Sequence, residues 1–309
     1  IGSTWMEVSV SSPNLDGGVR GLFMGGDPGS NQGRKIEYIT IPTAGNGTEF
    51  GDMTEDRKYC SSFSSRTRGV VAGGENPSAK HDEIEFVNFA STGNVIDFGN
   101  LLAARTYVGC AGNQTRGIIA GGYPGSADYD NVIQFVTIAS TGNAVDFGDL
   151  TQNNSNQGGT ASPTRGIFAG GADWPSMKNE IDFVTIATTG NAQDFGNLLI
   201  SQAYNNGASS STRAVYSSGS NSPYKLMEYI TFATRGNALD FGDSTVAIGW
   251  KQGTSDTIRG VFGGGQSPTT SNVIDYINIA TQGDAVDFGD LITQFHRSGG
   301  ACSNGHGGL

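Results

Sequence analysis

Charge is what this chain has least of. Charged residues fill 15% of its 309 positions, and 29 Asp and Glu against 18 Lys and Arg leave a net charge of −11. Nucleic acid is not an expected partner, because phosphate backbones need a clustered basic face. Long apolar runs are absent too. No stretch approaches the roughly 18 residues that a spanning helix requires, so no membrane insertion is expected. The first residues, Ile1-Gly2-Ser3-Thr4-Trp5, lack the basic and apolar regions of a secretory signal, and the missing Met suggests numbering that starts inside a longer or processed chain. Cysteine is scarce. Cys60, Cys110 and Cys302 form no CxxC, which argues against a disulfide framework and a cysteine zinc site and leaves the redox compartment open. Histidine is as rare: His81, His296 and His306 fall in unlike parts of the chain, with no GxSxG, HExxH or Cys-His cluster. We therefore expect no enzyme, no metal site and no cofactor.

Glycine, by contrast, is abundant, with 48 copies, and its placement is periodic. An Arg that opens an apolar run recurs at Arg20, Arg68, Arg116, Arg165, Arg213 and Arg259, followed by Gly in every copy but the fifth. Five residues on comes a glycine pair such as Gly73-Gly74 or Gly121-Gly122, reduced to Ser218-Gly219 in the fifth copy. A six-residue run rich in β-branched and aromatic residues follows, for example Ile181-Asp182-Phe183-Val184-Thr185-Ile186, and reads as a buried strand. Next stands a Gly at a fixed offset, Gly45 through Gly283, read as a hairpin residue needing positive φ. The unit ends on an acidic-Phe-Gly triplet: Glu49-Phe50-Gly51, then Asp97, Asp146, Asp194, Asp240 and Asp287 with their Phe-Gly. A segment of small residues, such as Gly109-Cys110-Ala111-Gly112, then precedes the next Arg and suits the crowded innermost strand of a blade. A fixed period of about 48 residues signals a propeller. The chain is therefore all-β, with four antiparallel strands per blade and six blades. We expect residues 12–309 to form a single domain closed by the C-terminal strand, with His306 at the Arg position, and residues 1–11 to be a connector or added strand, since Met6, Val8 and Val10 alternate with polar residues.

The glycine doublet, the third-strand aromatic, the large aromatic of the fourth strand and the Arg-Gly step resemble kelch repeats, with Phe where kelch has Trp. The string TRGIIAGG…NVIQFVTIASTGNAVDFGDL and the ending Cys302-Ser303-Asn304-Gly305-His306-Gly307-Gly308-Leu309 are similar to repeat proteins of marine bacteriophage virions. The resemblance spans roughly residues 12 to 309. It implies a virion structural protein on a tail fibre or capsid exterior, with other virion proteins and a host-surface glycan or protein as partners. It brings no catalytic residues with it.

Loop lengths separate two faces. Eight residues lie between the third strand and the Phe of the triplet in all six copies, and the step from that Phe to the next Arg is 18 in all five cases, whereas the connections after the glycine pair hold 9, 9, 10, 9, 7 and 8 residues. Variable loops on a rigid scaffold are where recognition resides. Their large residues are Tyr123, Tyr129, Trp174, Lys178 and Tyr224, with Lys80 and His81, and we expect any binding there. The alternative is loops that merely pack on their neighbours. On the constant face, the six Arg and the six acids Glu49, Asp97, Asp146, Asp194, Asp240 and Asp287 are equal in number, so we expect a structural Arg–carboxylate ring rather than an anion site. An intracellular kelch-like interaction scaffold and a glycan-acting enzyme are the competing functional readings.

Overall fold

Each six-residue apolar run becomes the third strand of a blade because both of its faces are covered: neighbouring blades pack on the two sides, and four or five of the six residues are buried. The computed structural model describes residues 19–26, 33–125, 129–293 and 299–309. In it, six four-stranded antiparallel sheets form a six-bladed β-propeller, and no helix occurs among the described residues. The third blade is typical. Its strands are Gly109–Gly112 at the axis, Arg116–Ala120, Val132–Thr137 and, outermost, Val145–Asp149. In the first blade the inner strand is Gly300–Ser303 from the far end of the chain, paired with Arg20–Met24, so the C-terminal strand closes the ring as the repeat arithmetic required. The expected connector at residues 1–11, with Met6, Val8 and Val10, lies outside the described residues.

A bulge recurs between the third and outer strands of every blade, for example where Ile133 faces Gly148 and Gln134 faces Asp146, leaving Phe147 as the extra residue. The bulge aims the triplet Phe inward. Each is at most 3% exposed and meets its blade's third-strand aromatic edge-on at 5.9–6.0 Å. The following Gly is required. At Gly99, with φ of +144°, an added Cβ would lie 2.4 Å from the carbonyl oxygen of Gly142 in the next blade.

That close approach belongs to a set of bonds that no blade can make alone. The turn of each blade, Thr-Gly-Asn in the second to fourth and with Gly45, Gly236 and Gly283 at the same place in the others, lies against the outer strand of the preceding one. Gly142 N donates to Phe98 O at 2.7 Å, Ala144 N to Asn100 O at 2.8 Å, and Asn143 Oδ1 accepts from Asn100 N at 3.0 Å. The same three bonds recur around the ring, with Asn46 receiving Asp290 N where the sixth blade meets the first. A second stitch is a buried acceptor on the third strand, at Glu37, Glu85, Gln134, Asp182, Glu228 and Asp275, each at most 6% exposed. It receives donors from the loop that leaves the preceding blade: Ile292 N and Thr293 N reach Glu37, Leu102 N reaches Gln134 at 2.8 Å, and Thr151 N reaches Asp182. Gln134 shows that the position needs an acceptor, not a charge. Burial accordingly pushes the carboxyls of Glu37 and Asp182 upward and that of Glu228 up to about 7.

The repeated arginines form the third stitch, and here the expected carboxylate ring is corrected. None of the six makes an ion pair with an acid among the described residues. Each guanidinium instead lies over its own blade's third-strand aromatic, at 4.4 to 5.1 Å. From there it donates to the carbonyl that ends the third strand of the next blade: Arg20 to Phe89, Arg68 to Ile138, Arg116 to Ile186, Arg165 to Phe232, Arg213 to Ile279 and Arg259 to Ile41. The six acids sit two strands farther out and face solvent, and Glu49 pairs with Lys35 at 2.9 Å. Replacing Arg116 with Met should cost about 1–3 kcal/mol in denaturant unfolding, since the Ile186 carbonyl loses a charged donor, whereas Asp146→Asn should stay within about 0.5 kcal/mol. Equal losses would restore the ion-pair ring.

Candidate functional site

Strand direction puts the constant turns on one face and the variable connections on the other. On the variable face the loops of the second and third blades bring three of the expected residues into a row. Lys80 Nζ stands 4.5 Å over the ring of Tyr123, which meets Tyr129 at 5.2 Å with a 40° tilt. Tyr123 is held by paired backbone bonds to Thr106, and Lys80 by a bridge to Glu75. Trp174 stands on the loop of the fourth blade, at the tip of a short hairpin in which Ala172–Asp173 pairs with Ser176–Met177, and is 41% exposed. Asp173, its neighbour, joins burial and Tyr123 in pushing the Tyr129 phenol upward. Lys80 makes no ion pair among the described residues, so its ammonium faces the ring and solvent. The row offers aromatic faces, one cation and the polar tips of two tyrosines.

Three other expected residues do not join it. His81 is 6% exposed, its Nδ1 lies 3.0 Å from Glu83 and its backbone N donates to Gly74 O. Lys178 occupies the corresponding place in the fourth blade: it is 8% exposed, donates Nζ to the Asn153 carbonyl, and is pushed down by burial. Both are fixed inside the loop bases. Counting them as surface ligands is corrected by their repeat position, where a long polar side chain closes the connection on itself. Tyr224 is half-buried, with its ring against Gly249 at the start of the sixth blade. The three thiols are buried and pushed up to about 11 for Cys60 and about 12 for Cys110 and Cys302. Among the described residues no group of three or more His, Cys, Asp or Glu is arranged to hold a metal.

A second feature of this face escaped the sequence reading. Two residues ahead of each inner strand from the second to the sixth blade stand Tyr59, Tyr107, Asn156, Tyr204 and Trp250, all with φ of 58° to 64°. This left-handed turn links successive blades around the axis: Tyr107 N donates to Tyr59 O, Asn156 N to Tyr107 O and Tyr204 N to Asn156 O, at 2.8 to 2.9 Å. The rings converge. Tyr59 and Tyr107 lie 4.3 Å apart, Tyr107 and Tyr204 meet edge-on at 6.0 Å, and Tyr204 stacks on Trp250 at 4.2 Å. Together they floor the axial mouth. The signal was present as the one large side chain recurring in the small-residue segment, at the same period as the Arg.

Below the floor runs an axial cavity of about 50 Å³ lined by hydroxyls, among them Ser62, Ser64, Thr160 and Thr254. Its constant-face end is stopped by the C-terminal tail, where Gly307 N donates to Ser209 O and His306 Nε2 lies 3.2 Å from Ser64 O. His306 therefore carries its proton on Nε2, while Nδ1 accepts from Gly308 N. Against known proteins, the chain matches no family model and no curated sequence. Burial holds the His306 imidazole down at about 4, below its ordinary value of 6.5. The unfolded chain thus binds the extra proton between pH 6.5 and 4, so the histidine's contribution to stability is present above 6.5 and lost as the pH falls through that window. The stability difference between the protein and its His306→Gln variant should shrink from pH 7 to pH 4.5 in denaturant titrations. A difference independent of pH would show that the ring titrates alike in the folded and unfolded chain and that burial does not hold its proton off.

Proposed function

We propose that this chain is a non-enzymatic recognition propeller of a virion exterior, kelch-like in its repeats, carried on a bacteriophage tail fibre or capsid and bound to other virion proteins. Its variable face binds a host-surface glycan. The observation that carries this reading is the unequal use of the two faces. On the constant face the turn amides, the Asn side chains and the arginines are consumed in holding blades together, and near-sixfold repetition presents the same groups in every direction. The variable face breaks that repetition and sets Lys80, Tyr123 and Tyr129 in one row, with Trp174 exposed on the fourth blade's loop, and offers aromatic faces suited to stacking on sugar rings and polar tips suited to hydroxyls. Phage identity itself is supported by the resemblance of the repeat wording and of the C-terminal ending. A non-catalytic role agrees with the chemistry of the interior: His81 and His306 are committed to hydrogen bonds, and the thiols are held protonated.

Single replacements Lys80→Ala, Tyr123→Ala and Trp174→Ala should each weaken binding of the purified chain to host cells or their extracted surface polysaccharide, by about tenfold for the best-placed ring, with the thermal midpoint unchanged for Trp174→Ala. Unchanged binding in all three would contradict the proposal. Retention of a host cytoplasmic protein in place of polysaccharide would favour the intracellular scaffold, and release of sugar from the polysaccharide would favour the enzyme.

A further inference from the structure

The axial floor asks for an explanation that folding does not supply. Left-handed backbone is where a bulky side chain fits least well, at a cost of about 1 kcal/mol or more for a residue other than glycine. Asn156 takes part in the same backbone band as its aromatic counterparts, donating to Tyr107 O and accepting from Tyr204 N, and Asn tolerates this conformation best. The band therefore does not need rings. Four of its five described members nevertheless carry them, and three of the four remain partly exposed on the face that lacks sixfold repetition.

Polar groups beside the floor are left without partners. A hollow of about 20 Å³ opens between the rings and the tops of the inner strands. Gln157 and Asn205, 4% and 1% exposed, line it, and their side-chain oxygens Oε1 and Oδ1 accept no hydrogen bond. Trp250 Nε1 is likewise buried without an acceptor. An unmet buried group costs about 1–3 kcal/mol, so such groups at a surface mouth mark a place where a ligand or water completes the set. The hollow has room for one hydroxyl or one water and not for a ring. Among the described residues no charged side chain lines it.

We propose that the floor formed by Tyr59, Tyr107, Tyr204 and Trp250 is a binding site for one neutral pyranose residue, seated on the axis with its C–H face against the rings and one hydroxyl reaching into the hollow beside Asn156. The aromatic rings meet the apolar side of the sugar, and the orphaned Gln157 and Asn205 oxygens accept from the hydroxyl that enters. A uronic acid is disfavoured because its carboxylate would find no cation among the described residues that line the hollow. The proposal does not depend on the perimeter residues Lys80, Tyr123, Tyr129 and Trp174, and either stands if the other fails.

Saturation-transfer NMR on the whole chain tests it, with methyl β-D-galactopyranoside, methyl α-D-glucopyranoside and methyl α-D-mannopyranoside as probes. At least one should receive saturation on its ring C–H protons and shift an indole N–H resonance that disappears in Trp250→Phe. Tyr204→Leu should weaken that glycoside by about tenfold, the loss of one stacking ring. Should Tyr204→Leu fail to fold, Asn156→Trp carries the test: it places a ring of the kind already held at Trp250 over the hollow and should abolish binding. Saturation of none of the three glycosides overturns the proposal. So does a signal that survives Asn156→Trp, and so does one that is lost in Trp174→Ala, which would place the sugar on the perimeter.

Discussion

An isolated blade of this chain has an outer strand with an open edge, a third strand whose last carbonyl has no donor, and a buried carboxyl or amide with nothing to accept. The next or the preceding blade supplies each missing group. Asn143 and the amides of Gly142 and Ala144 complete the outer strand of the second blade, Arg68 reaches the Ile138 carbonyl, and Gln134 accepts from Leu102 N. Edge strands otherwise invite pairing with other chains, and closing each edge with a neighbour's turn removes that hazard inside one molecule. The ring exists because its sectors are incomplete, and the sixth finds its complement in the first through Asn46, Ile41 and Glu37.

Dependence between blades divides the labour of the two faces. Constant spacing is the signature of groups that must meet a neighbour at a set distance, so the turns and the arginines have no latitude. The connections after the glycine pair bear only on their own blade and the one beside it, which lets their length run from seven to ten residues. We propose recognition on that face for the same physical reason that it varies. The axial floor lies between these cases: its backbone obeys the repeat, while its side chains differ from blade to blade.

Much of the architecture was legible because it repeats. Arg, the glycine pair and Phe-Gly recur at fixed steps, and a strand whose small residues reappear after the sixth triplet could only complete the first blade. What misled was the equal count of arginines and acids. Sequence places Arg116 and Asp146 in one repeat but does not say that two strands separate them, nor that a guanidinium over Phe135 already has a carbonyl within 2.9 Å. His81 and Lys178 misled in the same way, since polarity suggested exposure while their repeat position turned them inward. Tyr59, Tyr107, Tyr204 and Trp250 went unread because their meaning lies in convergence. Residues 46, 48 and 97 apart become ring neighbours only when six inner strands share an axis and the backbone before each takes a left-handed turn.

The mutual completion of blades is tested most directly by native-state hydrogen exchange at the turn glycines Gly45, Gly93, Gly142, Gly190, Gly236 and Gly283. Their amides sit in surface turns, yet each donates across a blade boundary to a triplet Phe carbonyl at 2.7 to 2.9 Å. The account predicts that all six exchange only with global unfolding, as slowly as second-strand amides such as Ile119. Exchange at the rate of ordinary loop amides, with the inner strands still protected, would show blades that are complete without their neighbours and would contradict it.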